Sequence, residues 1–495
     1  MSARTDAAVA AALGLGTSLD GEGVEYSGVG TDTRLLEPGA LFVALRGENH
    51  DAHAFMGAAA AAGARGAVVE FVPEDAPDSL RYYVVDDTLV ALGRLARLHR
   101  RRCDVRVCAV VGSNGKTTTK ELIRAVLETS FRVHATTGNL NNRVGLPLTL
   151  LACPADAEVV VAEMGTNVPG EIALLAAIAE PDVVVVANIS AEHLEGLGDL
   201  DGVLREETSA LAWLPSSGTA VVPEAPAVLP ARARAMAPRA RVVGFGPDAD
   251  AGFRGTRVAV DDDGRVRFEW SGREVRLELR GRHNARNALL ALAVARTWGV
   301  DDHAAVAALA RPVAPKMRAE VKRAGELTVV VDCYNANPAS VAAALELLSD
   351  MPRRGGRVAV LGSMLEMGEN SGAVHADVAR AAAGMDVDLI VATGEFAAAF
   401  EPHAASLGDR LILGEDPLAV WDEVSSRLRG DEVVLLKASR GIRLERLLPR
   451  IEDEWGMLHP HGEAFGSRAS DEHTGARAGA SPAEHSPANS AGGAR

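Results

Sequence analysis

Residues 105–122 read VRVCAVVGSNGKTTTKEL. A β-rich apolar run ends in the loop Gly112-Ser113-Asn114-Gly115, and a helical pattern opens at Lys116-Thr117-Thr118. Glycines let the backbone turn so that successive N–H groups face a phosphate, the helix N-terminus adds its dipole, and Lys116 supplies a point charge. The Thr117 hydroxyl is placed to reach Mg²⁺. Val110 stands five positions before Gly115, so the loop is the short form G-x-x-G-K-T rather than G-x-x-x-x-G-K-[ST]. Strand, loop and helix fall in the order a nucleotide site requires.

Two further β-rich runs follow, EVVVAEMG and PDVVVVANIS, each leading into a helical pattern. That alternation predicts an α/β fold with a parallel sheet covered by helices. Glu163 closes the first run, where open α/β sheets bind ligands, and His193 lies just beyond the second. Glu163 is either a magnesium ligand or a capping or solvated carboxylate; His193 is either a ligand or an ordinary loop histidine. Residues 241–280 alternate in short segments around the turn DDDG and predict a small antiparallel insertion at the edge of this unit, followed by the helical run NARNALLALAVARTWG.

Before this central unit, residues 1–102 carry strand patterns at 41–45, 67–70 and 82–85 with an Ala-rich helix at 52–64. After it, strand patterns at 328–332, 357–361, 387–391, 410–413 and 432–436 alternate with helices and predict a second α/β sheet in residues 315–456. Residues 457–495 are rich in Gly, Ala, Ser, Pro and His and predict a disordered tail, since they bury too little to offset the entropy of ordering.

The 495 residues, at roughly 150 per domain, allow about three domains. Lys+Arg 51 against Asp+Glu 67 leaves a net charge of −16, which argues against nucleic acid as a partner. The four cysteines lack metal-site spacing and read as core thiols of a reducing compartment. The start has no clear signal-peptide pattern and no apolar run approaches a membrane span, so a cytoplasmic protein without membrane insertion is expected.

VVGSNGKTTTKEL, TTGNLNNRVGLPLTLL, AEMGTNVPGEI, NISAEHLEGLG, GRHNARNALLALAVA, VVVDCYNANPAS, LGSMLEMGE and VLLKASRGIRL, in that order, resemble the Mur ligase family. Within it they are most similar to the dipeptide-adding branch. The resemblance implies three domains: residues 1–102 binding the UDP sugar, 103–314 a central P-loop ATPase-like domain, and 315–456 a Rossmann-like domain. It implies an ATP- and Mg²⁺-dependent ligase that joins D-alanyl-D-alanine to UDP-N-acetylmuramoyl-tripeptide through an acyl phosphate, with a monomer expected. Lys116, Glu163, His193 and Glu207 become catalytic candidates, and Thr117, Glu163, His193 and Glu207 metal ligands. Asn287, Arg318 and Asp332 join Gly112–Thr118 around ATP. Thr31, Asp32, Thr33 and Arg34 are assigned to the nucleotide sugar, and Thr137, Asn139, Asn141 and Asn142 to the muramoyl peptide. Tyr334, Asn335 and Asn337 are assigned to nucleotide or dipeptide, and Lys437, Ser439 and Arg440 to the dipeptide carboxylate. Each polar group has a plain alternative as a turn or capping residue.

The chain departs from the family pattern at one chemically important place. The family usually carries a carbamylated lysine in the helix after the HLEGFG-like segment; here DGVLREETSALAWL has Glu207 at that position, or Glu206 if the register slips by one. A glutamate supplies a carboxylate directly and removes any dependence on CO₂; the alternative is that Glu207 faces solvent and one metal site is lost. Ser363 stands where Asp is typical and Val168 where a polar residue is frequent, which leaves the acceptor amine less defined than the ATP chemistry.

Overall fold

The computed structural model describes residues 5–15, 23–47, 50–261, 263–311, 316–352 and 355–460. Three α/β units follow one another along the chain. In the first, four parallel strands, Val29–Gly30, Leu41–Val43, Gly66–Val69 and Arg81–Val84, lie in chain order. The helix Thr88–Arg102, capped by the Asp87 carboxylate on the N–H groups of Leu89 and Val90, leads into the second unit. Its apolar face shares one continuous core with both units: Leu92 and Leu95 pack in the same cluster as Tyr83 and Val107.

The central sheet has six parallel strands in the spatial order Arg239–Val243, Thr219–Pro223, Val183–Val186, Arg106–Val111, Val159–Glu163, Val133–Ala135. Valine-rich strands buried on both faces are what a helix-covered parallel sheet demands. Arg106–Val111 pairs with Val159–Glu163 on one side and Val183–Val186 on the other. The chain therefore reverses direction of build-up beside this strand, and the crevice at its carboxyl end is the place where such sheets receive ligands.

The antiparallel insertion comprises Gly255–Val260, Arg265–Trp270 and Arg273–Arg280. It begins later than expected, because residues 241–243 belong to the parallel strand Arg239–Val243. It also forms a sheet of its own instead of extending the edge, since Val266, Phe268, Val275 and Leu277 face a core shared with helix His283–Thr297. That helix is apolar on nearly every side, with Ala288, Leu290 and Leu292 fully buried, because it lies between the insertion, the sheet and helix Lys116–Leu127.

The third unit is a seven-stranded sheet in the order Leu411–Gly414, Leu389–Thr393, Arg357–Leu361, Val433–Lys437, Leu327–Asp332, Glu320–Ala324, His459–Pro460. Its first five strands are parallel; the last two join antiparallel. His459 pairs with Arg323, so the third unit runs past the expected boundary at 456, and the remainder of the tail, 461–495, lies outside the described residues. The expected boundary at 314–315 also falls outside them. Among the described residues, no helix is long and apolar enough to cross a membrane.

Candidate active site

A cleft of about 1200 Å³ opens between the central and third units, with Arg265, Glu278, Leu279 and Arg280 of the insertion forming part of its wall. Its floor is the loop 112–115. Gly112 has φ 118°, and a Cβ there would lie 2.7 Å from Asn188 O and 2.8 Å from Asn188 N, so no other residue fits. Gly115, at φ 80°, opens helix Lys116–Leu127 and lets the Asn287 amide approach to 2.9 Å of where its Cβ would stand. Ser113 exchanges bonds with Ser190: its Oγ donates to Ser190 O and accepts from Ser190 N, both at 2.9 Å.

Lys116 donates to Ser113 O at 3.2 Å and to Gly112 O, and lies 3.5 Å from Glu192. Burial pulls the ammonium pKa down, but Glu192, Glu207 and Glu163 together outweigh it and leave the group above the ordinary lysine range. Burial raises Glu192 to about 8, against the pull of Lys116. Glu192 was not singled out by sequence; its residue type before His193 carried no distinguishing pattern.

The register of the two adjacent glutamates is resolved. Glu206 accepts from Gly170 N at 2.7 Å and Ile172 N at 2.8 Å, caps helix Glu171–Ala179 and is structural. Glu207, fully buried, accepts from Gly112 N at 2.6 Å. It does not face solvent. Nor does it line the cleft, so it is not placed as the expected metal ligand: its Oε2 supports the loop from beneath and its Oε1 has no hydrogen-bond partner, with burial raising its pKa and Lys116 lowering it.

Glu163 lines the cleft; its Oε1 accepts from Asn141 Nδ2 at 2.9 Å and Thr117 Oγ1 at 3.3 Å, while its buried Oε2 has no hydrogen-bond partner. His193, in the left-handed region at φ 48°, lines the cleft and turns its Nδ1 onto Glu366 of the third unit. No group of three or more His, Cys, Asp or Glu side chains is gathered for a metal among the described residues. A preformed cage is not what Mg²⁺ uses in nucleotide sites, where one or two carboxylates act with water and phosphate oxygens. The orphaned Glu163 oxygen beside the Thr117 hydroxyl fits that requirement.

Of the other ATP candidates, Asn287 donates to Asn284 Oδ1 at 2.8 Å, and Asn284 in turn donates to Arg280 O at 2.7 Å. Asn284 escaped the sequence reading although its i, i+3 spacing to Asn287 puts both on one helix face. Arg318 stacks 4.3 Å over the Tyr334 ring, and Asp332 pairs with Lys437 at 2.9 Å. Thr118, Asn139, Asn142, Asn335 and Arg440 line the cleft.

Several expected substrate contacts are occupied otherwise. Asn142 Oδ1 accepts from Gly145 N at 2.8 Å and starts helix Gly145–Leu151. Thr137 is not in the cleft wall. Lys437 is committed to Asp332 and Asn335 O, and the buried Ser439 hydroxyl accepts from Leu365 N at 3.0 Å. Arg440 pairs with Glu445. Asn337 reaches the phosphate loop instead of the cleft. Thr31–Arg34 form a turn in the first unit outside this cleft, where Asp32 bonds Arg34. Ser363 accepts from Glu395 N at 2.9 Å and faces a smaller cavity of about 370 Å³ within the third unit, away from the phosphate loop. Val168 is half-exposed and uses its carbonyl to hold Thr166 Oγ1 at 2.7 Å.

Residues 110–295 match the Mur ligase middle domain, and 317–440 the Mur ligase glutamate ligase domain. The UDP-N-acetylmuramoyl-tripeptide–D-alanyl-D-alanine ligase of Bacillus subtilis is 33% identical over 427 residues, covering 85% of this chain and 92% of the relative. That of Escherichia coli is 34% identical over 446 residues, covering 89% and 96%. MurF from Acinetobacter baumannii superposes with a TM-score of 0.80 at 30% identity over 90% of this chain and 98% of that one. MurF from Thermotoga maritima in complex with ADP gives 0.76 at 28% identity, over 86% and 97%.

Two variants separate the functions of Glu207. Glu207→Ala leaves the buried Gly112 N–H unpaired and is expected to weaken ADP binding about tenfold. Glu207→Gln keeps an acceptor and is expected to hold ADP affinity within about threefold while kcat falls; calorimetry and steady-state rates check both.

Proposed function

The chain belongs to the Mur ligase family, and we infer from that premise how its residues divide the work of joining D-alanyl-D-alanine to UDP-N-acetylmuramoyl-tripeptide. The reaction consumes ATP, uses Mg²⁺ and yields the pentapeptide precursor of peptidoglycan. The observation that carries the assignment of roles is the phosphate loop facing a cleft closed by the third unit, with Lys116 and the orphaned Glu163 oxygen at its floor.

The reacting groups are both anionic, so approach of the tripeptide carboxylate to the γ-phosphate is opposed by charge. Lys116 and the N-terminal dipole of helix Lys116–Leu127 offset that repulsion and gain most where charge accumulates in transfer. Thr117, Glu163 and His193 would hold Mg²⁺, which when bound neutralises phosphate charge. Glu207 acts as an unmodified carboxylate that fixes the loop through Gly112 N. Asn287, steadied by Asn284, is assigned to the adenine, and Arg318 and Asp332 to the phosphate and ribose side. Asn139 and Asn141 orient the muramoyl peptide near Glu163.

The carboxylate oxygen takes the γ-phosphoryl group and ADP leaves. The dipeptide amine then attacks the carbonyl carbon, loses a proton, and phosphate departs with the original carboxylate oxygen. Water must be kept from the acyl phosphate, and the third unit does this by closing over the loop. Arg440, which lines the cleft and stays half-exposed beside its partner Glu445, is assigned to the dipeptide carboxylate, the first unit holds the UDP portion with Thr31–Arg34, and the reaction takes place in the cytoplasm.

Purified protein with ATP, Mg²⁺, UDP-N-acetylmuramoyl-tripeptide and D-alanyl-D-alanine should release phosphate and give a product heavier by one dipeptide only when all are present. Phosphate release and amide product with another amine but not with this dipeptide would overturn the acceptor.

A further inference from the structure

Asn337 lies outside the cleft wall and is 1% exposed, yet it is joined to the floor of the site. Its Nδ2 donates to Asn114 Oδ1 at 2.9 Å, and its Oδ1 accepts from Asn114 Nδ2 at 3.2 Å. The same Oδ1 accepts from Ser340 N at 2.9 Å and caps helix Pro338–Asp350. On the loop side, Asn114 Nδ2 also donates to Ser190 Oγ at 2.7 Å. The Asn114 side chain is thus committed to protein on both sides, and none of its polar capacity is directed at a phosphate.

This reciprocal amide pair joins the tip of the phosphate loop to the start of a helix that forms the opposite side of the cleft, through Ala339, Ser340, Ala343, Glu346 and Leu347. Pro338 at the first helical position and the capping box fix that helix start. The Asn337 side chain is therefore held by its own unit before it meets Asn114. A buried amide pair satisfied on both sides gives a defined geometry, and breaking one member strands the other.

We propose that Asn337 is a positioning residue for the phosphate loop: through Asn114 it sets the loop's geometry toward ATP when the third unit is closed, and it contacts neither substrate. The proposal rests on the ligase reading only in taking ATP as the ligand of the loop. It differs from the sequence expectation that Asn337 touches nucleotide or dipeptide.

Asn337→Ser keeps a capping oxygen for Ser340 N but is too short to reach Asn114. Asn337→Asp keeps size and cap but presents oxygen to Asn114 Oδ1 where an N–H stood. Both variants, Asn114→Ala, and the double variant Asn114→Ala/Asn337→Ser are compared with wild type in the complete ligase assay, with thermal midpoints recorded. Either Asn337 variant should raise the ATP KM about tenfold in a protein that still unfolds in one cooperative transition, and the double variant should be no worse than Asn114→Ala alone. A wild-type ATP KM in a folded Asn337→Ser or Asn337→Asp protein overturns the proposal. So do losses that multiply in the double variant, because Asn337 would then act independently of Asn114. ADP affinity by calorimetry, without the other substrates, carries the same expectation and remains readable if the ligase assay itself fails.

Discussion

One ammonium group sits among three carboxylates. Lys116 is partly buried beside Glu163, Glu192 and Glu207, three acids that are themselves all but closed off from solvent, and the electrostatics of the site follow from that arrangement. Burial makes each charge costly to leave unpaired, so the acids hold the lysine protonated while burial raises Glu192 and Glu207. Glu163 reaches the Thr117 hydroxyl through one oxygen and leaves the other without a partner, so a divalent cation bridging it to a nucleotide phosphate would offset charge on both sides of the loop.

The second constraint is that the site is divided between units far apart in sequence. Central and third units meet at Asn114 with Asn337 and at His193 with Glu366, contacts spanning 223 and 173 residues. Both His193 and Glu366 hold left-handed backbones, at φ 48° and 65°, a conformation non-glycine residues adopt only when the surroundings hold them there. Gly368 lies within 3.3 Å of Glu195 at its would-be Cβ, so the loop carrying Glu366 packs directly on the segment carrying His193. A reaction that must exclude water from an acyl phosphate gains from a site completed only by closure.

Local pattern made much of this legible in the sequence. The phosphate loop, the valine-rich parallel strands and the alternating units are signalled within windows of about ten to twenty residues, and the strand patterns at 328–332 and 357–361 lie within a residue of where strands form. Contacts made across the fold were not. Glu206 and Glu207 look alike on one helix, and only their backbone partners, Gly170 and Gly112, distinguish a cap from a loop support. Glu366 carries no local mark of meeting His193. The Asn-rich segments invited substrate roles because an amide suits ligands, turns and caps equally; Asn142 is spent on a helix start and Asn337 on a cap and a loop.

This charge arrangement serves phosphoryl transfer to a carboxylate. UDP-N-acetylmuramoyl-tripeptide labelled with oxygen-18 in its terminal carboxylate, turned over with ATP and D-alanyl-D-alanine, tests it directly. One labelled oxygen is expected in the released phosphate and one retained in the new amide carbonyl. Phosphate free of label, with amide formed, would contradict it.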